Sequence, residues 1–135
     1  MIKKKYELTD ATIEVNGRTL HRIRALRDFG NVEKGDLGGF IEHEGNLSHE
    51  GDCWVGDNAW VYEGVRVYDD AQISDNAHVF GNAEVYEGIH FYGYTEVYGD
   101  VRVFGNCDAI YIVNDAGAYG HVDNTDLIST REQTR

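Results

Sequence analysis

Residues 55–108 read VGDNAW, VYEGVR, VYDDAQ, ISDNAH, VFGNAE, VYEGIH, FYGYTE, VYGDVR and VFGNCD, nine hexads in succession without insertion or deletion. Each opens on Val, Ile or Phe, and a small or β-branched residue follows four positions later. A repeat of fixed short period marks a stacked solenoid, in which each unit buries its apolar side only against its neighbours. In extended chain, alternate side chains face the same way. Each hexad therefore turns two residues inward: Ala59 and Val61, Val65 and Val67, Ala71 and Ile73, Ala77 and Val79, Ala83 and Val85. Between these pairs lie three-residue corners such as Tyr62-Glu63-Gly64. The third corner residue is Asn58, Gly64, Asp70, Asn76, Asn82, Gly88, Tyr94, Asp100 and Asn106. All but Tyr94 tolerate left-handed backbone, so that conformation is expected there. Three short strands close one triangular coil of eighteen residues, and coils stack at about 4.8 Å. The fold class is all-β, a parallel β-helix.

Extended outward, the register gives hexads 38–43, 44–49 and 50–55, with Ile41, Leu47 and Cys53 in the inward small-residue position. Beyond the clean zone, Asp115 and His121 fall where inward aliphatics belong. The expectation is about five coils over residues 38–127, the last one irregular or capping, followed by a tail at 128–135. Residues 1–37 are off the repeat. Lys5–Leu8 reads as a short strand, and Thr12–Val15 with Arg18–Leu26 as a hairpin about Asn16-Gly17, since Asn-Gly is the strongest two-residue turn signal. The uneven spacing of Leu20, Ile23 and Leu26 calls for a bulge. This unit is expected to cap the open end of the coils, because an uncovered coil leaves an exposed strand edge.

Charge is divided between the two parts. Residues 1–34 carry eight basic and five acidic residues, net +3; residues 35–135 carry four and nineteen, net −15. So acidic a body disfavours direct contact with nucleic acid phosphates and favours basic partners. No apolar run reaches the length of a membrane span and no signal peptide opens the chain, so a cytoplasmic protein is expected. Two cysteines, Cys53 and Cys107, agree with a reducing compartment.

Eighteen-residue stacking turns the sequence into columns. Cys53, Ala71, Ile89 and Cys107 share an inward column, which puts the thiols about 14 Å apart and rules out a disulfide. Outward columns are Arg66–Glu84–Arg102, Trp60–His78–Glu96 and Trp54–Gln72–His90–Asp108. The first corner position is aromatic at Tyr62, Tyr68, Phe80, Tyr86, Tyr92, Tyr98 and Phe104. Tyr62–Phe80–Tyr98 and Tyr68–Tyr86–Phe104 should stack, which serves self-stabilisation and an interface equally well. Acidic corner columns run Asp57–Asp75–Gly93, Glu63–Gly81–Gly99 and Asp69–Glu87–Gly105.

The segments HRIRALRDFGNVEKGDLGGFIE (residues 21–42) and LSHEGDCWV (residues 47–55), followed by hexads of this type, resemble the YdcK-like hexapeptide-repeat proteins of bacteria and phages. The resemblance covers nearly the whole chain. It implies a left-handed coil, a handedness that periodicity alone does not supply. Such proteins are commonly labelled transferases on the strength of the fold, which by itself dictates no chemistry.

Among catalytic readings, a trimeric hexapeptide acyltransferase needs a histidine base and an excursion that builds an acyl-donor site. His78 and His90 are the outward candidates, but no loop leaves the hexads and no Ser/Asp partner is evident in the sequence. Histidine spacing does not suit a β-helical carbonic anhydrase, nor do the Asp corners form a calcium-binding nonapeptide repeat. No metal or cofactor is expected. The favoured reading is a non-enzymatic protein-binding module whose surface comprises Trp54, Trp60, the seven corner aromatics and Asp57, Glu63, Asp69, Asp75 and Glu87. With the phage resemblance this becomes a host-modulating or counter-defence inhibitor in the host cytoplasm, acting on a basic nucleic-acid-binding protein, with nucleic-acid mimicry as a variant. The alternatives are the acyltransferase and a self-assembling dimer or trimer joined through the Trp54 and Trp60 faces.

Overall fold

The computed structural model describes residues 3–105 in full and the backbone of 108–114, 117–122 and 128–130. Elements follow as β1 (Tyr6–Val15), β2 (Arg18–Ala25), β3 (Leu37–Ile41), a 3-10 turn (Glu44–Asn46), β4 (Trp54–Val55), β5 (Trp60–Val61), β6 (Arg66–Val67), β7 (Gln72–Ile73), β8 (His78–Val79), β9 (Glu84–Val85), β10 (His90–Phe91), β11 (Glu96–Val97) and β12 (Val101–Val103). Three more complete the chain: β13 (Asp108–Asn114), β14 (Gly117–Val122) and β15 (Ile128–Thr130). Strands β5, β8 and β11 pair in parallel on one face, β4, β7 and β10 on a second, and β6, β9 and β12 on the third. The protein is a β-helix, and all ten hexad residues assigned inward from Ala59 to Val85 are buried.

Within the hexads every parallel pair is offset by eighteen residues, from Trp54 with Gln72 to His90 with Asp108. The offset changes at both ends. Ile41 pairs with Val61 and Leu47 bridges Val67, an offset of twenty, so these two sit in the aliphatic column and not the small-residue column that strict counting assigned. Two extra residues are taken up between Leu47 and Trp54, where Cys53 regains its place beneath Ala71. Gly51 permits this wider corner. Its φ is +72°, and a Cβ there would sit 2.3 Å from the Asp69 carbonyl. Asn46 replaces lost ladder bonds in the first coil, donating from Nδ2 to the carbonyls of Glu63 (3.1 Å) and Val65 (2.9 Å) while Oδ1 accepts from the Glu42 and His43 amides.

At the other end β13 pairs with β10 and then with β11, where Ile112 faces Glu96 at an offset of sixteen. A corner has been omitted, and β13 turns back as an antiparallel partner of β14. The solenoid therefore makes about four turns and not five, with a hairpin in place of the expected last coil. β15, within the expected tail, pairs antiparallel with β12.

The corners correct one further expectation. Positive φ falls on the second corner residue, not the third: Asp57 (53°), Glu63 (61°), Asp69 (58°), Asp75 (57°), Glu87 (59°) and the glycines at 81, 93, 99 and 105. The third residue closes the turn, as where Ala59 N–H donates to the Gly56 carbonyl across Asp57-Asn58. Tyr94 therefore carries no left-handed strain.

The N-terminal strands extend the β5 face in the order β1, β2, β3, β5, antiparallel among themselves and with β3 parallel to β5. Asn16 and Gly17 both have positive φ, as the two-residue turn requires. The separate strand expected at Lys5–Leu8 merges with Thr12–Val15 into β1, and the bulge lies there, between Leu8 and Thr12; a second register shift separates Arg22 and Arg24. Tyr6, Ile23, Ala25 and Phe29 close over Ile41, Leu47, Cys53 and Val55. Burial of side chains this size is worth about 1.5–3 kcal/mol each, so the cap and the first coil stabilise one another.

Candidate functional site

Three outer faces and three corners offer surface, and the cap occupies part of two faces. Val15 and Leu20 pack on Phe40 and Tyr62, with Trp60 and Phe80 at the margin. Arg22 lies 4.3 Å over the Phe40 ring and donates to the Gly38 carbonyl and to Asn58 Oδ1. Arg18 pairs with Glu42 (2.8 Å) and Glu63 (3.4 Å), and Lys4 with Glu44 (3.2 Å). The basic cap thus grips the acidic corners of the first coil. Burial works against ionisation of Glu42, but the Glu63 amide and Arg18 more than offset it and hold this carboxyl low. Glu44 is likewise held low, first by His49 and then by Lys4.

Beneath the cap, Lys5 is fully buried. Its Nζ donates to the carbonyls of Cys53 (2.6 Å) and Gly51 (3.2 Å) and lies 3.3 Å from Cys53 Sγ. Burial lowers the Lys5 pKa and raises that of the Cys53 thiol, so the pair is a satisfied core contact and not an activated nucleophile. The other sulfur of that column, Cys107, is outside the described residues.

Both expected aromatic stacks form. Ring centroids are 5.4 and 5.1 Å apart along Tyr62–Phe80–Tyr98, and 4.9 and 5.3 Å along Tyr68–Tyr86–Phe104. They run along the two corners that bound the β6–β9–β12 face. Burial raises the phenol pKa of Tyr62, Tyr68 and Tyr86. On the face itself Glu84 lies between Arg66 and Arg102 in register and accepts a 3.0 Å hydrogen bond from the Tyr68 hydroxyl.

The acidic corners have a structural role that sequence columns did not disclose. Asp57 Oδ2 accepts from the Asp75 amide (3.0 Å), Glu63 Oε1 from Gly81 (2.9 Å), Asp69 Oδ2 from Glu87 (3.2 Å) and Asp75 Oδ2 from Gly93 (2.9 Å). Each carboxylate thus satisfies the outward amide of the left-handed residue in the next coil, which the strand ladder leaves unpaired. This accounts for Asp57, Glu63, Asp69 and Asp75 at the second corner position without a partner; Glu87 makes no such bond among the described residues. Tyr94, the exception among the corner residues, is 79 % exposed.

The tryptophans lie differently. Trp54 is 7 % exposed, packed edge-on to Phe29 at 5.2 Å, and so lies under the cap and not on a free face. Trp60 stacks on His78 at 3.9 Å, where burial lowers the histidine's pKa against the opposing pull of Glu96. Tyr92 tilts against His90 at 5.5 Å.

His90 has a hydroxyl partner after all. Ser74 Oγ lies 2.9 Å from His90 Nε2, a contact between a corner and the next coil's strand that linear spacing of sixteen conceals. The Ser74 hydroxyl also reaches the Phe91 carbonyl (3.2 Å), so that carbonyl competes with the imidazole for its single proton, and the His90 tautomer sets the direction of the contact. The neighbouring amides are committed as well: Ser74 to Phe91, Asp75 to Asp57, Asn76 to Gly93. A nucleophile here would lack the donors that an oxyanion needs. Among the described residues no group of three or more His, Cys, Asp or Glu side chains is placed to hold a metal ion, and no described helix is long and apolar enough to cross a membrane. Compared with known proteins, the chain matches no family model and no curated sequence.

Proposed function

We propose that this chain is a non-enzymatic protein-binding module that engages its partner through the β6–β9–β12 face and the aromatic rails beside it. The supporting observation is the pair of stacks, Tyr62–Phe80–Tyr98 and Tyr68–Tyr86–Phe104, flanking one charged strip on a rigid coil. Tyr62 is buried beneath the cap and anchors its stack, while Tyr68, Tyr86 and Tyr98 are half-buried and pre-ordered by stacking, so they lose little further entropy on binding; aromatic and arginine side chains dominate interface energetics. The net charge of −12 steers such a face toward basic proteins. With the YdcK-like resemblance, this reading extends to a phage- or prophage-encoded inhibitor of a basic nucleic-acid-binding host protein. Charge mimicry is the weaker version of it, since four of the corner carboxylates already serve backbone amides.

Affinity capture from native-host lysate, with the wild-type chain and with Tyr86→Ser, identifies the partner; calorimetry on the purified pair then measures its salt dependence. One basic protein held by the wild type and lost with the variant is the expected result. Retention of the same proteins by both would remove this face from consideration. Turnover of acetyl-CoA abolished by His90→Ala or His78→Ala would overturn the reading in favour of acyl transfer.

A further inference from the structure

Between the cap loop at residues 30–32 and the β4–β7–β10 face lies a groove of about 420 Å³ that the reading above does not use. Trp54 forms its inner wall. A Cβ built on Gly56 would sit 3.6 Å from the indole Cδ1 and 3.8 Å from Nε1, so the bare glycine leaves that edge open to the groove. No described residue accepts a hydrogen bond from the Nε1–H, although the side chain is more than nine-tenths buried. The N–H opens into the groove and is free to meet an acceptor that a ligand brings.

The rim has the opposite character. Asp70 Oδ1 accepts the Asp52 amide at 3.2 Å, leaving its second oxygen unused. Gln72 commits its amide group to the carbonyls of Asp52 (2.8 Å) and Asp70 (3.3 Å), which leaves Oε1 as a further acceptor. Neither Asp52 nor Asp70 joins an ion pair among the described residues, although Asp52 feels the charge of Lys5 beneath the cap. The groove therefore suits a ligand with one acceptor at the indole and a cation with several donors at the rim, joined by an aliphatic stem. Within a peptide, arginine answers all three demands. Its guanidinium has five donors in a planar fork, where lysine offers a point charge.

We infer that the groove receives an arginine residue from a basic segment of the partner, its guanidinium at Asp52 and Asp70 and its main-chain carbonyl on Trp54 Nε1–H. This rests on the partner reading but uses a different face, so each can fail alone.

The test is an NMR titration of the ¹⁵N-labelled full chain with acetyl-Gly-Arg-Gly-amide and with its citrulline counterpart, which is nearly isosteric but uncharged. With the arginine peptide, the Trp54 indole and Gln72 side-chain signals shift to saturation while the Trp60 indole stays in place. The citrulline peptide binds at least about tenfold more weakly, since charge-assisted bonds are roughly twice as strong as neutral ones. In Asp52→Asn/Asp70→Asn the preference for arginine falls below about twofold. Asn keeps the acceptor for the Asp52 amide, and matching melting curves check the fold. Gly56→Ala, whose methyl meets only ordinary contacts, covers the indole edge and weakens binding of both peptides, providing a second variant where the first does not fold. Equal binding of the two peptides, or shifts spread over Trp60 and the Asp57 and Asp75 corners, would overturn the assignment. So would unchanged affinity in the folded variants.

Discussion

The hexad coils and the N-terminal cap bury apolar residues equally well but by different means. In the coils each residue meets its counterpart eighteen positions away, and stability is the sum of many similar nearest-neighbour terms. In the cap, single side chains reach across forty or so residues: Tyr6 donates its hydroxyl to Leu47 (2.6 Å), and Lys5 reaches Cys53. A repeat distributes its stability, whereas a cap concentrates it in a few residues with no duplicate. The closed core of the coil depends on that small set.

The most direct way to break this comparison is Tyr6→Ala. It opens the end of the coil and removes the stack on His49 at 4.2 Å, and it should cost about 3–5 kcal/mol in urea denaturation. If it costs no more than a substitution within a coil, the cap is not the lid described. Next in size is an alkaline loss of stability. Burial raises the pKa of Tyr6, Tyr62, Tyr68 and Tyr86, so the folded chain keeps protons that the unfolded chain releases. Their contribution is present below about pH 10 and lost as pH rises beyond it. Lys5, lowered by burial, acts with the opposite sign but alone. Denaturation midpoints that stay level from pH 9 to 11 would contradict this balance.

Tyr86→Ala tests the distributed side. Removing the middle ring of a stack should cost about 1–3 kcal/mol from lost area and ring contact, less than Tyr6→Ala. Asp75→Ala comes next, at about 1–2 kcal/mol, because the Gly93 amide loses its acceptor and alanine is less suited to φ near 57°. Asp75→Asn keeps both features and should stay near wild type, which thermal melts can resolve. Ser74→Ala should cost least, below about 1 kcal/mol. A larger loss would mean that the His90 contact organises more of the second face than its two hydrogen bonds imply.

Much of this was legible. The period placed Ala59 through Val85 inward and aligned the two aromatic stacks, because parallel strands at fixed offset make columns by arithmetic. Asn16-Gly17 specified its turn through the backbone freedom of those two residues. The left-handed corner position was misplaced by one residue, since acidic types score poorly for that conformation and their compensation comes from the next coil. The shift of two residues at Ile41 was hidden because that residue is inward under either register, whereas the shift in β13, where Val113 pairs with Val97, showed in sequence only as the misplaced Asp115 and His121. Of the candidate surface, Trp54 read as exposed by alternation alone, and the Ser74–His90 contact and the groove at Asp52 and Asp70 required knowing what the cap covers.

The sequence by itself determined the coil, its three faces and its columns, because a six-residue alternation interrupted by corners has one way to bury its small and aliphatic residues. Only the tertiary structure decided which faces remain open, why the corners are acidic, and where the repeat stops. Those depend on the cap folding back over the first coil and on amides meeting carboxylates eighteen residues away, contacts that no local pattern encodes.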